Sequence, residues 1–410
     1  MAEAAPPFLP YGRQTIEDDD VAAVAAALRS DFLTTGPLVE RFEAALAQAV
    51  GAAEAVVCNS GTAALHLSLK ASALQAGETC IVPAVTFAAT ANAVRYEGGE
   101  VVFADVDPLT GLMTPDTLAE ALDRAGGRRL RAVLPVHLGG HTVDLPAIRA
   151  LAETVGAQVI EDACHGLGGA DSNGPVGGCA QSLMACFSFH PVKTICTGEG
   201  GAVTTQDPAL AARMRTLRSH GITREPADFV GGAEAFDHGV ANPWWYEQQE
   251  LGWNDRLPDV LCALGLSQIA KLDRFVARRR ALTALYDQAL APLAPVVRRV
   301  QGRSGTAPAL HLLQVLIDFE AVGLSRRAVM EALRAQGIGT QVHYIPVPWQ
   351  PYYRARYGSP DLPGAKSFYR ACLSLPLYPG MADGDPERVA AALGAALGRS
   401  PAIMPQAVGG

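Results

Sequence analysis

The sequence predicts an α/β protein: a large domain built on a seven-stranded, mainly parallel sheet, followed by a smaller α+β C-terminal domain. Three observations lead there. Short β-branched apolar runs alternate with helix-like segments between residues 54 and 205, the signature of βαβ units whose strands are covered on both faces. Beyond residue 221 the alternation gives way to an aromatic stretch longer than an ordinary connection inside a compact domain. The chain has 410 residues, more than one packed module of about 100 to 200 residues accounts for.

In chain order the expected strands are EAVVC (54–58), TCIVPA (79–84), EVVFAD (100–105), RAVLPV (131–136), AQVIED (157–162), LMACFSF (183–189) and GGAVTT (200–205). Between them, TAALHLSLKASAL (62–74) and LPAIRALAETVG (145–156) repeat apolar residues at three- and four-residue spacing, as helices with one buried face do. After the long aromatic segment a helix is expected from about Pro258 through Arg280 and beyond. Strands follow near HLLQVLIDF (311–319) and GTQVHYI (339–345), and a last helix around 385–398. The expected division is a large domain over 1–257, a small one over 258–400 and a tail over 401–410, with no internal repeat or heptad run.

Composition narrows the function classes. Apolar residues make up 49% and charged residues 18%, with 41 Gly and 28 Pro dispersed along the chain, which excludes a disordered or collagenous polymer. A net charge of -8 supplies no field for a nucleic-acid backbone or an anionic membrane. The opening MAEAAPPFLP has neither a basic flank nor a long apolar run, and no stretch approaches the roughly 18 apolar residues that span a bilayer. A soluble, cytoplasmic protein is expected. The eight cysteines (Cys58, Cys80, Cys164, Cys179, Cys186, Cys196, Cys262, Cys372) contain no CxxC pair and sit mostly in apolar segments, as reduced packing thiols do; no metal site is expected.

Only four of the 33 basic residues are lysine: Lys70, Lys193, Lys271 and Lys366. Guanidinium serves surface charge equally well but cannot form a Schiff base, so each retained lysine invites inspection. Lys193 lies in FSFHPVKTICTGEGGAVTT, just past an apolar strand, in a bend marked by Pro191 and followed by a Gly-rich turn. An amine partly withdrawn from water there has a lowered pKa and can attack a carbonyl at neutral pH. Ser188, five residues earlier, could offer its hydroxyl to a phosphate. In AVVCNSGTAALHLSL, Gly61 and Thr62 open a helix whose free N–H groups and dipole can hold a phosphate, although an ordinary capped helix reads the same way. Asp162, beside Glu161, ends the strand AQVIED at the sheet edge where open α/β sheets bind ligands. It could pair with a protonated ring nitrogen or brace the following loop, and His165 stands three residues on. A phosphate cup, an acid for a pyridinium and an amine for an aldehyde are together the three handles of pyridoxal phosphate. Phe87, in PAVTFAATANA, could then stack on the ring or belong to the core.

With these motifs in place, the sequence resembles the DegT/StrS-type sugar aminotransferases of the aspartate-aminotransferase fold (fold type I), from about FLTTGP (32–37) to QVHYIPVPWQPYY (341–353). The resemblance implies that Gly61 and Thr62 hold the phosphate, Phe87 stacks on the ring and Asp162 meets the pyridinium. It likewise implies that His165 contacts the ring hydroxyl, Ser188 the phosphate, and that Lys193 is the catalytic lysine. Asn254 would reach the phosphate of a neighbouring subunit, implying a homodimer with a shared active site and a partner-facing loop over 221–257. Thr34, His190 and His343 fall near the sugar, each histidine equally able to serve a structural role. SDFLTTGP, EDACHGLG, HPVKT, RSHGIT and WWYEQQELGWN look closest to the branch that aminates C4 in pseudaminic-acid biosynthesis. That branch implies L-glutamate as donor and the 4-keto carbon of UDP-2-acetamido-2,6-dideoxy-β-L-arabino-hexos-4-ulose as acceptor. WNDRLPD departs from the family's Asn-Tyr-Arg pattern at Asp255 and Pro258, and Pro348-Trp349 could reshape the sugar pocket. Amination of another nucleotide-linked 4-keto-6-deoxyhexose, such as an epimeric UDP-sugar or a GDP-sugar, is the alternative within the class. A non-catalytic sensor of the same fold is the alternative outside it.

Overall fold

All seven apolar runs become strands of one sheet in the computed structural model, which describes residues 7–399. They are β1 (Glu54–Cys58), β2 (Thr79–Pro83), β3 (Glu100–Ala104), β4 (Leu130–Val133), β5 (Gln158–Asp162), β6 (Met184–Ser188) and β7 (Gly201–Thr205), in the spatial order β1-β7-β6-β5-β4-β2-β3. Strand β7 runs antiparallel to β1 and β6, and every other neighbouring pair is parallel. Helices α1 (Asp18–Leu28) and α2 (Pro37–Val50) precede the sheet. Between and after its strands come α3 (Gly61–Ala71), α4 (Ala88–Tyr96), α5 (Pro115–Ala125), α6 (Leu145–Thr154) and α7 (Pro208–Leu217). Cover on both faces explains why the strands read as unbroken apolar runs rather than alternating ones: all five residues of β2 and of β7 are buried.

The long segment after residue 221 is tied by two short ladders, Ile222–Thr223 with Glu247–Gln248 and Phe236–Asp237 with Val240–Ala241. The single helix expected from Pro258 is two: α8 (Asp259–Ile269) and α9 (Leu272–Leu290). The break sits at Lys271, whose backbone leaves the helical range (φ -105°, ψ 1°) while its ammonium bonds Asp19 at 2.5 Å and Asp20 at 2.8 Å in the acidic first turn of α1. The smaller sheet is antiparallel, β8 (Val297–Arg299), β9 (Leu313–Ile317) and β10 (Cys372–Leu375) in that order; of the helices α10 (Arg326–Ala335), α11 (Pro351–Tyr357), α12 (Pro363–Ala371) and α13 (Asp385–Ala396), α11 instead packs on Phe103 of β3 in the large sheet. GTQVHYI is not a strand. Its only backbone bridge to β10 is between Gln341 and Ser374, which exchange two hydrogen bonds, and it then turns toward the large sheet. Cys262, Leu272, Phe275 and Val276 pack with the core of the large sheet, whereas Leu282, Tyr286 and Leu290 pack with the small one. We therefore place the changeover within α9 rather than at 258. The tail expected over 401–410 lies outside the described residues.

Among the described residues, no helix is long and apolar enough to cross a membrane, and no group of three or more His, Cys, Asp or Glu is arranged to hold a metal ion. All eight cysteines are free, and all but Cys164 are buried.

Candidate active site

The carboxyl ends of β1, β2, β5 and β6 open onto one cavity of about 440 Å³, where the loops of an open α/β sheet are free to gather ligand groups. Gly61, Thr62, Phe87, Asp162, His165, Ser188, His190, Lys193 and His343 all line it. These residues were singled out in widely separated motifs, and one concavity brings them together. Thr34 and Asn254 are exposed and do not line it within this chain.

Its floor is the start of α3. Ser60 caps the helix by accepting the Ala63 N–H at 3.1 Å. As the first residues of the helix, Gly61 and Thr62 have no carbonyl one turn back to receive their N–H groups, so these are free for an anion. The cap is therefore served by Ser60, and the N–H groups of Gly61 and Thr62 lie outside it. A Cβ on Gly61 would lie 2.8 Å from Ser188 Cβ and 3.3 Å from Cys164 Sγ, and one on Gly201 would lie 2.3 Å from the Ser60 carbonyl oxygen. The glycines that follow Lys193 therefore let β7 run directly against the cup.

Adjacent strand residues point to opposite faces, and β5 uses both. Glu161 faces away from the cavity, where it accepts from His137 Nε2 at 2.7 Å and from the Ser182 hydroxyl. Asp162 faces the cavity with 5% of its surface exposed. Its Oδ1 accepts the Cys164 N–H at 3.2 Å and its Oδ2 the Thr90 hydroxyl at 2.7 Å, while Thr86 and Thr90 share a 2.8 Å hydroxyl contact. Because Thr90 gives its proton to the carboxylate, Thr86 donates to Thr90. This hydroxyl pair escaped the sequence reading. Its only signal was two threonines four apart where a loop enters a helix.

Lys193 sits in a turn after β6, its N–H bonded to the His190 carbonyl at 2.8 Å. Burial pushes its amine below the ordinary lysine range, while Cys164 and Asp162 pull the other way. Lys70 is paired with Glu97, Lys271 with three carboxylates, and Lys366 is exposed. Lys193 is half-buried, and its amine has no hydrogen bond or ion pair among the described residues. Such an amine is free to react. Phe87 is 59% exposed on the wall, so it is not a core residue.

The remaining wall is aromatic. His343 bonds Ser374 Oγ through Nδ1 at 2.8 Å, and burial pushes it down to about 3. His311 packs on His165 with ring centroids 4.5 Å apart, and Tyr344 lies 3.2 Å from His165 Nε2. Tyr11, His311 and Tyr344 also line the cavity. Sequence reasoning did not assign them because each arrives from a distant segment.

The WNDRLPD segment is tied to the site through its backbone and through Asp259. Asn59 donates its N–H to the Asp255 carbonyl at 2.8 Å and its amide to the Asn254 carbonyl at 3.3 Å, so this segment braces the residue just before the cup. Burial raises the Asp255 carboxyl above its usual range. Asp259, one residue past Pro258, accepts from Gly36 at 2.7 Å and Leu38 at 3.0 Å, and so fixes the TTGP turn.

Comparison with known proteins agrees with this geometry. The DegT/DnrJ/EryC1/StrS aminotransferase family matches residues 14–394. The spore coat polysaccharide biosynthesis protein SpsC of Bacillus subtilis is 36% identical over 386 residues, covering 93% of this chain and 95% of SpsC. PseC of Helicobacter pylori, an aminotransferase involved in the biosynthesis of pseudoaminic acid, superposes with a TM-score of 0.85 at 28% identity, over 95% of this chain and 99% of PseC. DesI, whose structure was determined in the presence of its TDP-sugar product, superposes with a TM-score of 0.83 at 31% identity, over 97% of this chain and 95% of DesI. A free helix start, a clamped carboxylate and an unpaired amine fit pyridoxal phosphate, the cofactor of these enzymes. The chain belongs to the DegT/DnrJ/EryC1/StrS family and is a pyridoxal-phosphate-dependent sugar aminotransferase of the aspartate-aminotransferase fold.

Proposed function

We propose that the enzyme moves an amino group from L-glutamate to the C4 keto carbon of UDP-2-acetamido-2,6-dideoxy-β-L-arabino-hexos-4-ulose, a step of pseudaminic-acid biosynthesis. The observation that carries the reaction class is the unpaired Lys193 amine in one cavity with the Asp162 carboxylate. The likeness to PseC over nearly the whole chain supports the sugar.

Pyridoxal phosphate supplies an aldehyde that takes up the donor's nitrogen and a ring that accepts electrons when the donor's α-proton leaves. The chain's residues do the rest. Gly61 and Thr62, with Ser188, hold the phosphate at the positive end of α3. Asp162, held by Thr90 and the Cys164 N–H, keeps a proton on the ring nitrogen and so keeps the ring electron-poor. Phe87 presents a flat apolar wall to the ring. Lys193, its pKa lowered by burial, offers the unpaired amine of the cavity wall and would carry the proton that leaves the donor's α-carbon. Glutamate leaves as 2-oxoglutarate, and the sugar leaves with an amine where its ketone stood. His190 and His343, on the same wall, meet the sugar. Thr34 and Asn254 serve a partner's cavity, so the working enzyme is a homodimer with shared sites.

A second reading within the class is favoured by one observation: DesI, crystallised with a TDP-sugar product, is 31% identical. On that reading the acceptor is a different nucleotide-linked 4-keto-6-deoxyhexose. The test is ¹⁵N transfer from L-[¹⁵N]glutamate to a panel of UDP-, TDP- and GDP-linked 4-keto sugars, read by mass. Labelled product from the UDP-N-acetyl sugar alone supports the first reading. Product only from another sugar replaces it with the second, and transfer to none refutes both.

A further inference from the structure

His165 can hold only one proton arrangement. The backbone N–H of Gly139 donates to its Nδ1 at 3.2 Å, so Nδ1 must present a lone pair and the single ring proton must sit on Nε2. The Gly139 residue is itself held in place, its carbonyl accepting from the His311 N–H at 3.0 Å and the Leu312 N–H at 3.3 Å. It lies in the left-handed region (φ 67°), and a Cβ there would sit 2.5 Å from Gln314 Oε1, so the position requires glycine.

Among the described residues, the proton on Nε2 has one partner in reach, the Tyr344 hydroxyl at 3.2 Å. A tyrosine oxygen that receives this hydrogen bond is left with its own proton to give. No other hydrogen bond of that hydroxyl exists among the described residues, and the side chain faces the cavity, its ring 6.0 Å from that of Phe87. We infer that the Tyr344 hydroxyl is the hydrogen-bond donor offered to the cofactor's ring oxygen, and that His165 is a positioning residue acting through it. This rests on the transaminase reading above, and it changes the role that family resemblance gave His165, direct contact with the ring hydroxyl.

The surroundings keep the arrangement fixed. Burial first, and then Lys193 and His343, hold the His165 pKa well below the ordinary histidine value, while His311 packs on its ring. Burial, with Asp162, Tyr11 and Cys164 nearby, likewise keeps the Tyr344 phenol protonated. Neither group changes charge in the working range, so the donor direction does not reverse.

The first test needs no cofactor. In protein labelled with ¹⁵N at histidine, with the His165 signals assigned by His165→Gln, two-bond ¹H–¹⁵N spectra should show the neutral Nε2–H pattern unchanged from pH 6 to 8. An Nδ1–H pattern, or titration in that range, overturns the inference. The second test is the pH titration of the visible band of the loaded protein. A donor on the ring oxygen competes for the electron pair that otherwise holds the cofactor's shared proton. Tyr344→Phe should therefore raise the titration midpoint by about one pH unit, a tenfold change. His165→Gln should raise it by less, and the double variant no further than Tyr344→Phe alone, because the histidine works only through the tyrosine. No shift in Tyr344→Phe, or shifts that add in the double variant, refutes the inference. Absence of any visible band after adding pyridoxal phosphate to the unaltered protein instead refutes the transaminase reading, and the imidazole spectra still decide the proton arrangement.

Discussion

Thr90 offers the clearest separation of function from packing. It is fully buried, and its hydroxyl donates to Asp162 Oδ2 at 2.7 Å while accepting from Thr86. Thr90→Val keeps the shape and removes the proton. A hydrogen bond to a charged group is worth about 1.5–3 kcal/mol, and Thr86 also loses its acceptor. The expected cost is therefore about 2–3 kcal/mol, roughly a 5 °C fall in Tm for domains of this size. Thr90→Ser keeps both hydrogen bonds and removes one buried methyl, costing about 1 kcal/mol. The order is the diagnostic: if packing governed the site, the bulkier apolar valine would be the milder change. The assay is thermal unfolding of both variants without cofactor, together with visible titration with pyridoxal phosphate. In Thr90→Val the carboxylate keeps only the Cys164 N–H, at 3.2 Å, and affinity should fall about tenfold; Thr90→Ser should bind nearly as the parent does. A valine variant at least as stable as the serine variant, with unchanged affinity, would show that Thr90 only fills space.

Lys193→Ala should abolish the visible band and lower amino transfer by at least about 10³-fold, as expected when nucleophile and proton carrier are one group; substantial turnover by it would remove Lys193 from the mechanism. Gly61→Ala brings a methyl within 2.8 Å of Ser188 Cβ, so overpacking of about 1–3 kcal/mol should appear as weakened cofactor binding, measured by titration, with the donor specificity intact. The buried His141 is held down to about 4, mainly by desolvation and then by Arg299. Its folded pKa lies below its unfolded value, so the unfolded chain takes up more protons as pH falls below about 6.5, and stability drops. At pH 5 this one group removes about 2 kcal/mol. Urea midpoints measured from pH 7 to 5 should fall less steeply in His141→Gln, and an unchanged slope would refute the assignment.

The parts that were legible in the sequence share a physical cause. A strand buried on both faces is mostly apolar, so β1 to β7 announced themselves. Val297–Arg299 did not, because a three-residue strand with an exposed Arg298 has neither length nor pattern. GTQVHYI alternates like a strand and is not one, since His343 and Tyr344 are drawn to the cavity wall instead of a ladder. Lys193 was legible through scarcity: in a chain that uses arginine for nearly all positive charge, a lysine beside a Gly-rich turn is chemically conspicuous. Asp162 was legible only with Glu161 attached, since composition cannot say which of two neighbouring acids faces the cavity. The pleat separates them, sending Glu161 to His137 and Asp162 to the cavity. Thr90 and Tyr344 were silent for a different reason. Each matters through a partner far along the chain, Asp162 72 residues away and His165 179 residues away, and only folding creates those pairs. A lysine's reactivity can be read from its own chemistry, whereas a contact between distant residues becomes visible only once the chain has folded. Variants at Thr90, His165 and Tyr344 should therefore shift spectra, affinities and pH midpoints before they abolish turnover.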